Sequence, residues 1–314
     1  MNAVYIEITD ACNLNCSFCP CGKVISKTAE KVKPPRQFMS AELFERCISQ
    51  ASSVADNVYF HVLGEPTLHP DFDAFLKKLE QTPLKLNLTT NGTTIAKISQ
   101  SLLECSAVRQ VNFSTHAYAE LPQEQALPHL QEILHFCKMA NTMRPDLYIN
   151  LRLWNVGDES SNSWNKAMLA KVNEAFASSI TNDTAPQISL EHFCSRHKSF
   201  NVTGRIYLHR DSRFEWTRLD ERLGSAGSPT ETDEKIVTGT CRALGTHVAI
   251  LHDGRVVACC LDYSGQITLG NIADRSLVEI LGTPLARELR KGFEKHELRH
   301  PFCQSCTFCK RFGK

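Results

Sequence analysis

Six short runs that alternate apolar and polar side chains, most of them followed by a helix-like segment, constrain the fold of this chain more than any other feature. The runs are residues 4–9, 57–63, 85–89, 110–114, 148–153 and 205–209. Helical patterns occupy residues 41–51, 71–81, 95–103, 122–143 and 163–178, with Ser40 placed to cap the first and Pro70 to open the second. Strand alternating with helix argues for parallel βα units, and six of them make an α/β protein built as a partial (β/α)6 TIM-like barrel. Side chains alternate across a strand. Val4, Ile6 and Ile8 therefore share one face and Tyr5, Glu7 and Thr9 the other. The second run separates Val58, Phe60 and Val62 from Tyr59, His61 and Leu63, and the fifth separates Ile149, Leu151 and Leu153 from Asn150, Arg152 and Trp154. Helices cover the outside of such a barrel, so the apolar series points outwards and the polar series lines the interior. A closed eight-stranded barrel fills its interior with branched apolar side chains; a polar interior predicts an open barrel with a deep, wet cavity for a polar ligand. An antiparallel sheet with one solvated face is the competing reading, and the intervening helices count against it.

The first run delivers the sequence T-D-A-C-N-L-N-C-S-F-C-P at residues 9–20, which places Cys12, Cys16 and Cys19 within eight residues. Three thiolates at this spacing can wrap one face of a small cluster but cannot complete a tetrahedral zinc site alone. A cubane iron–sulfur cluster takes four cysteines, so a loop supplying three leaves one iron open to a ligand. The stretch resembles the signature loop of the radical S-adenosylmethionine (SAM) enzymes, with Phe18 as the aromatic residue before the last cysteine. That resemblance implies a [4Fe–4S] cluster on Cys12, Cys16 and Cys19 whose open iron chelates SAM. An electron passed to the sulfonium then releases methionine and a 5′-deoxyadenosyl radical. A structural zinc knot or three unrelated thiols is the alternative for the triplet alone.

Ligands of such barrels bind at the C-terminal ends of the strands. The second run ends in Gly64-Glu65-Pro66, the third in Thr90-Asn91-Gly92 and the fourth in Ser114, while the fifth carries Arg152. Gly64 and Glu65 resemble the family's Gly-Glu motif, with Leu63 where the first Gly usually stands; the resemblance implies that this edge holds the methionine amino group. Ser114 matches the family position that binds the ribose. Arg152 suits the methionine carboxylate through charge-assisted hydrogen bonds. Thr90-Asn91-Gly92 reads as a turn signal. Residues 21–38 carry Lys23, Lys27, Lys31, Lys33 and Arg36 against Glu30 alone; a solvated loop is the plain reading and a basic lid the sharper one. Cys21 is read as a bystander, and Cys47, Cys105, Cys137 and Cys194 as small core residues.

Residues 222–235, rich in Gly, Ser, Thr and Pro, read as a linker. Beyond them come Cys241, Cys259, Cys260, Cys303, Cys306 and Cys309. His252-Asp253-Gly254 is a hairpin turn between strands at 246–251 and 255–261, so Cys259 and Cys260 face opposite sides. Gly254 followed after four residues by Cys259 resembles the SPASM and twitch auxiliary-cluster domains. The resemblance implies that Cys241, Cys259, Cys303 and Cys306 hold one further [4Fe–4S] cluster. A full SPASM pattern would put another cysteine where Phe312 stands, so the shorter, one-cluster twitch form is expected, with Cys309 a bystander or competing ligand. Structural zinc is the alternative at this site. Helices at 276–281 and 284–293 are expected to pack on the hairpin. The expected division is a core at 1–220, a linker at 221–235 and an auxiliary-cluster unit at 236–314.

With 35 Lys and Arg against 34 Asp and Glu, overall charge offers no pull towards nucleic acid or anionic membrane. Fourteen cysteines cluster near the two ends instead of forming an even disulfide framework. No apolar run is long enough for a membrane span, and the N-terminus enters strand material at once, so a cytoplasmic protein is expected. The expected function is that of a radical SAM oxidoreductase. It cleaves SAM, abstracts a substrate hydrogen and completes a two-electron oxidation through the auxiliary cluster. His61, His116, Glu7 and Tyr207 are interior candidates for the base. Expected partners are a small-molecule or short-peptide substrate and an electron donor such as flavodoxin or ferredoxin. A peptide-modifying maturase that forms a new bond is the alternative within the class; a non-catalytic iron–sulfur or zinc binding module is the alternative outside it.

Overall fold

The computed structural model describes residues 1–23, 37–177, 188–190, 198–213, 215–217 and 237–312. The basic segment at 24–36, Cys194 and the expected linker at 221–235 lie outside the described residues. The strands of the first part are β1 (Ala3–Ile6), β2 (Asn57–Tyr59), β3 (Lys85–Thr90), β4 (Val108–Phe113), β5 (Tyr148–Leu153), β6 (Ser199–Thr203) and β7 (Ile206–Arg210). β1, β2, β3, β4, β5 and β7 lie side by side in that order and all pair in parallel. The connections carry helices Ala41–Ala51, Phe72–Glu80, Ile95–Glu104, Gln123–Met143 and Asn162–Phe176. This is the expected run of βα units, a partial barrel.

The outward series forms the core. Val4, Ile6, Val58, Phe60, Leu86, Leu88, Val111, Phe113, Ile149, Leu151 and Leu208 are fully buried. They pack against helix stripes such as Phe44, Cys47, Ile48 and Ala51 or Phe75, Leu76 and Leu79. Ser40 caps the first helix by accepting from the Leu43 amide. Cys47, Cys105 and Cys137 are buried core residues. The inward series is polar and cross-linked between neighbouring strands: Asn150 donates to Asn112 (2.9 Å), Asn87 to Asn57 (3.2 Å) and Arg109 to Asn87 (3.1 Å).

Two features were not expected. β6 pairs antiparallel with β7 and covers that edge of the sheet. At the opposite edge the C-terminal part joins the same sheet. Its strands are β8 (Val237–Thr238), β9 (His247–Ile250), β10 (Arg255–Val257), β11 (Thr268–Asn271) and β12 (Glu297–Leu298). β9 and β10 form the expected hairpin, yet β9 also pairs in parallel with β1, from Ala3 opposite His247 to Ile6 opposite Ile250. β11 extends the hairpin, giving one ten-stranded sheet. Helices Leu277–Leu281 and Pro284–Glu294 pack behind it; Ser276 and Glu279 make a reciprocal cap and Thr283 caps the second.

Candidate functional site

The cysteine loop leaves β1 and is held from several sides. Gly64 has φ +74°, and a Cβ there would collide with the carbonyl oxygen of Thr9, so only glycine allows this approach. The next amide, of Glu65, donates to the Ala11 carbonyl at 2.6 Å. The Glu65 carboxylate, 2 % exposed, accepts from Thr67 N (3.1 Å), Thr67 Oγ1 (2.7 Å), Thr90 Oγ1 (2.8 Å) and Asn91 N (2.6 Å). Four donors occupy it, so the side chain ties the ends of β2 and β3 together and only the backbone edge is left for a ligand. Asn91 in turn donates to Asn13 Oδ1 at 2.9 Å, and Asn13 donates to Thr93 Oγ1 at 2.8 Å. Thr90-Asn91-Gly92, expected only as a turn, is thus a clamp on the cysteine loop.

Cys12, Cys16 and Cys19 are half-buried. Burial pushes the Cys12 thiol up to about 11 and the Cys16 thiol up to about 12; the neighbouring Cys12 and Glu120 add to the second shift and Arg213 opposes it. A hydrogen bond from Cys21 holds Cys19 below its ordinary value. Cys21, read as a bystander, therefore touches the triplet; its thiol also lies 3.8 Å from the Asp10 carbonyl oxygen. Loading metal here must drive protons off thiols that burial keeps protonated.

A cavity of about 340 Å³ opens beside the loop, lined by Phe18, Cys19, Ser114 and Arg152 among others. Arg152 stacks over Trp154 at 4.7 Å and donates to Thr89 Oγ1 at 3.4 Å, with no carboxylate partner among the described residues. Burial lowers its pKa to about 10, which leaves it cationic at neutral pH. Trp154 stacks on His116 at 5.7 Å, and His116 meets Phe18 at 5.6 Å. Among the described residues no Asp or Glu lines the cavity.

Of the interior base candidates, Glu7 accepts from Leu63 N (2.9 Å) and from His252 Nδ1 (2.9 Å). Tyr207 stacks on Tyr148, and His116 Nδ1 lies 3.2 Å from the Arg152 carbonyl. His61 lines the cavity edge-on to Tyr5 and Tyr59, and its Nδ1 is buried with no partner among the described residues. Burial lowers His61 to about 3 and keeps it neutral.

The second cysteine set lines the same cavity through Cys241, Cys259, Cys306 and Cys309. Behind it, Cys241, Cys259, Cys303, Cys306 and Cys309 surround one small apolar hollow. The four expected ligands and the spare Cys309 are thus together, whereas Cys260 faces only the main cavity. Burial pushes Cys241 up to about 12 and raises Cys303. Amides point at two sulfurs: Ala243 N at Cys241 Sγ (3.5 Å) and Leu261 N at Cys259 Sγ (3.2 Å). Cys309 donates to the Cys306 carbonyl at 2.9 Å. No three His, Cys, Asp or Glu among the described residues close on a single ion. The thiols ring a space instead, and a thiol set with N–H···S donors in an apolar hollow fits a polynuclear iron–sulfur cluster.

Residues 6–143 match the family model of the radical SAM superfamily, and residues 241–309 match that of SPASM, an iron–sulfur cluster-binding domain. A tungsten-containing aldehyde ferredoxin oxidoreductase cofactor-modifying protein of Pyrococcus furiosus is 29 % identical over 136 residues, 43 % of this chain and 35 % of that protein. A probable GTP 3′,8-cyclase of Pyrococcus horikoshii is 32 % identical over 109 residues, 35 % of this chain and 32 % of that protein. The alignments therefore span about a third of the length of these curated relatives. Among solved structures, Streptococcus suis SuiB bound to S-adenosylmethionine superposes with a TM-score of 0.55 at 16 % identity, covering 98 % of this chain and 71 % of that one. Native anSMEcpe with bound AdoMet superposes with a TM-score of 0.52 at 17 % identity, covering 99 % and 89 %. These two likenesses establish the shared fold.

Proposed function

Because this chain is a member of the radical SAM superfamily with a C-terminal SPASM iron–sulfur cluster-binding domain, we propose that it is an oxidoreductase that cleaves SAM, abstracts a hydrogen atom from its substrate and completes a two-electron oxidation. The carrying observation is one cavity lined by both cysteine sets, Cys19 on one side and Cys241, Cys259 and Cys306 on the other. When bound, the first cluster supplies the electron that splits SAM, and the second can accept an electron from the substrate. Cys12, Cys16 and Cys19 would hold the first. Cys241, Cys259, Cys303 and Cys306 would hold the second. The 1–220, 221–235 and 236–314 division follows these roles.

The remaining work falls to the protein's own groups. Arg152, cationic and without a carboxylate partner among the described residues, meets the methionine carboxylate. The backbone at Gly64 and Glu65 meets the amino group, Ser114 the ribose and Phe18 the adenine-side wall. His61 is the base best placed for a substrate proton, because its ring is neutral, lines the cavity and has an Nδ1 without a hydrogen-bond partner among the described residues. Its lowered basicity is sufficient: once an electron has left an α-hydroxy radical, the hydroxyl proton is a far stronger acid than an imidazolium. A cavity walled by Tyr5, Tyr59, Trp154 and Trp216 suits a small or short-peptide substrate. A flavodoxin- or ferredoxin-type protein would supply the reducing electron. No helix among the described residues is long and apolar enough to cross a membrane.

Anaerobically reconstituted protein with a strong reductant should convert SAM to 5′-deoxyadenosine and methionine. Replacing Cys12, Cys16 and Cys19 with Ala should abolish this. A cluster-loaded parent protein that never yields 5′-deoxyadenosine would sink the proposal.

A further inference from the structure

Between Cys16 and Cys19, Ser17 and Phe18 are gripped by two charged side chains from distant parts of the chain. Glu120, at the end of the 3-10 helix Thr115–Glu120, accepts from Ser17 N through one carboxylate oxygen and from Ser17 Oγ through the other, both at 2.7 Å. Arg213, shortly after β7, places its guanidinium 4.5 Å from the centre of the Phe18 ring. The same guanidinium lies 3.8 Å from Glu120 and 3.4 Å from Asp158. Its Nε is buried without a hydrogen-bond partner among the described residues, and Arg213 lines the cavity. A buried donor left unpaired is costly, and such a donor at a cavity wall points to a ligand that completes the site.

We propose that Glu120 and Arg213 form a charge-balanced clamp that positions Ser17 and Phe18 for SAM and sets the reduction potential of the first cluster. The proposal rests on the radical SAM reading above. Glu120 fixes the backbone between two cysteines, which a flexible loop could not do for itself. Alone, its negative charge would stand beside an anionic cluster, and like charges at this range repel. Arg213 offsets that charge while stacking on Phe18, so its cation and its plane both matter. Lysine could replace the first but not the second. With Arg152 on Trp154, Arg213 and Arg152 end a row of contacts that runs Arg213, Phe18, His116, Trp154, Arg152, in which His116 and Trp154 are stacked and Phe18 is tilted against His116. A ligand lying along the wall meets pre-set aromatic faces.

The test uses the reconstituted full chain and SAM as the probe. SAM affinity is read from the SAM-dependent change in the electron paramagnetic resonance of the reduced first cluster, and the midpoint potential is read from the same signal. Arg213→Gln should keep its iron, bind SAM roughly ten-fold more weakly and shift the potential downward, because reduction adds negative charge near an uncompensated Glu120. Glu120→Gln, which keeps an acceptor for Ser17, should shift it upward. The double variant should return close to the parent potential while SAM affinity stays low. Arg213→Lys should recover the potential but not the affinity. Parent-like affinity and potential in Arg213→Gln would overturn the clamp; if that variant loses iron, parent-like affinity in Arg213→Lys would overturn it equally. A cluster-loaded parent that binds no SAM would overturn the radical SAM assignment instead.

Discussion

Glu65 shows how a single residue can look like a ligand contact and act as a fastener. Its carboxylate is buried and meets four donors from Thr67, Thr90 and Asn91. Glu65→Ala would strand those donors in a site that water does not reach, and it should lower stability by on the order of 3 kcal/mol. Chemical denaturation of the cluster-free protein would measure this; a loss below roughly 1 kcal/mol would show that the network is dispensable. Much at this scale was legible in the sequence. Strand alternation alone put Arg152 and His61 inside and Val4, Ile6 and Ile8 outside, because a strand has a period of two. Cysteine spacing put Cys303 and Cys306 on one site. Glu120 and Arg213 were not legible, since they reach Ser17 and Phe18 from positions with no local pattern linking them to the loop. The role of Asn91 could have been suspected from its place at a strand end, where ligand loops gather.

Among elements, the hairpin of β9 and β10 carries a charge link to the barrel. His252, in its turn, donates to the buried Glu7 at the end of β1. That hydrogen bond raises the pKa of His252 above its ordinary value. The folded state therefore holds this proton more tightly than the unfolded chain does. The stabilisation is complete below the ordinary histidine value of about 6.5 and is lost as pH rises through the raised value. Amide-exchange protection of β9 and β10 should accordingly fall on the alkaline side of that window. In His252→Gln it should be lower and flat across the same range; an unchanged alkaline decline in that variant would show that another group is responsible. The hairpin itself was legible from His252-Asp253-Gly254. Its pairing with β1 was not, because parallel partners far apart in sequence leave no local signal. β6 was missed for a different reason: Ser199, Asn201 and Thr203 give it a polar, edge-strand composition that reads as loop.

For the whole molecule, two thiol sets facing one cavity predict the metal content. Anaerobically reconstituted protein should carry about eight irons and eight sulfides, as two cubanes. Cys303→Ala with Cys306→Ala should leave about half of that and preserve the signal from the first cluster; stoichiometric zinc in protein purified without oxygen would overturn the C-terminal assignment. The barrel and the hairpin share one continuous sheet, and that has a consequence in time as well as in space. β1 leaves the ribosome long before its partner β9, because Ala3 and His247, which face each other in the sheet, lie far apart in sequence. At ordinary rates of synthesis, one edge of β1 waits on the order of tens of seconds for its neighbour. The loop bearing Cys12, Cys16 and Cys19 hangs from that half-paired strand, and the wall that closes over it, with Cys241 and Cys259, is made only later. The thiols of this loop are thus made well before the wall that encloses them, so in the growing chain they stand open to oxidants and stray metal until β9 and its neighbours have emerged.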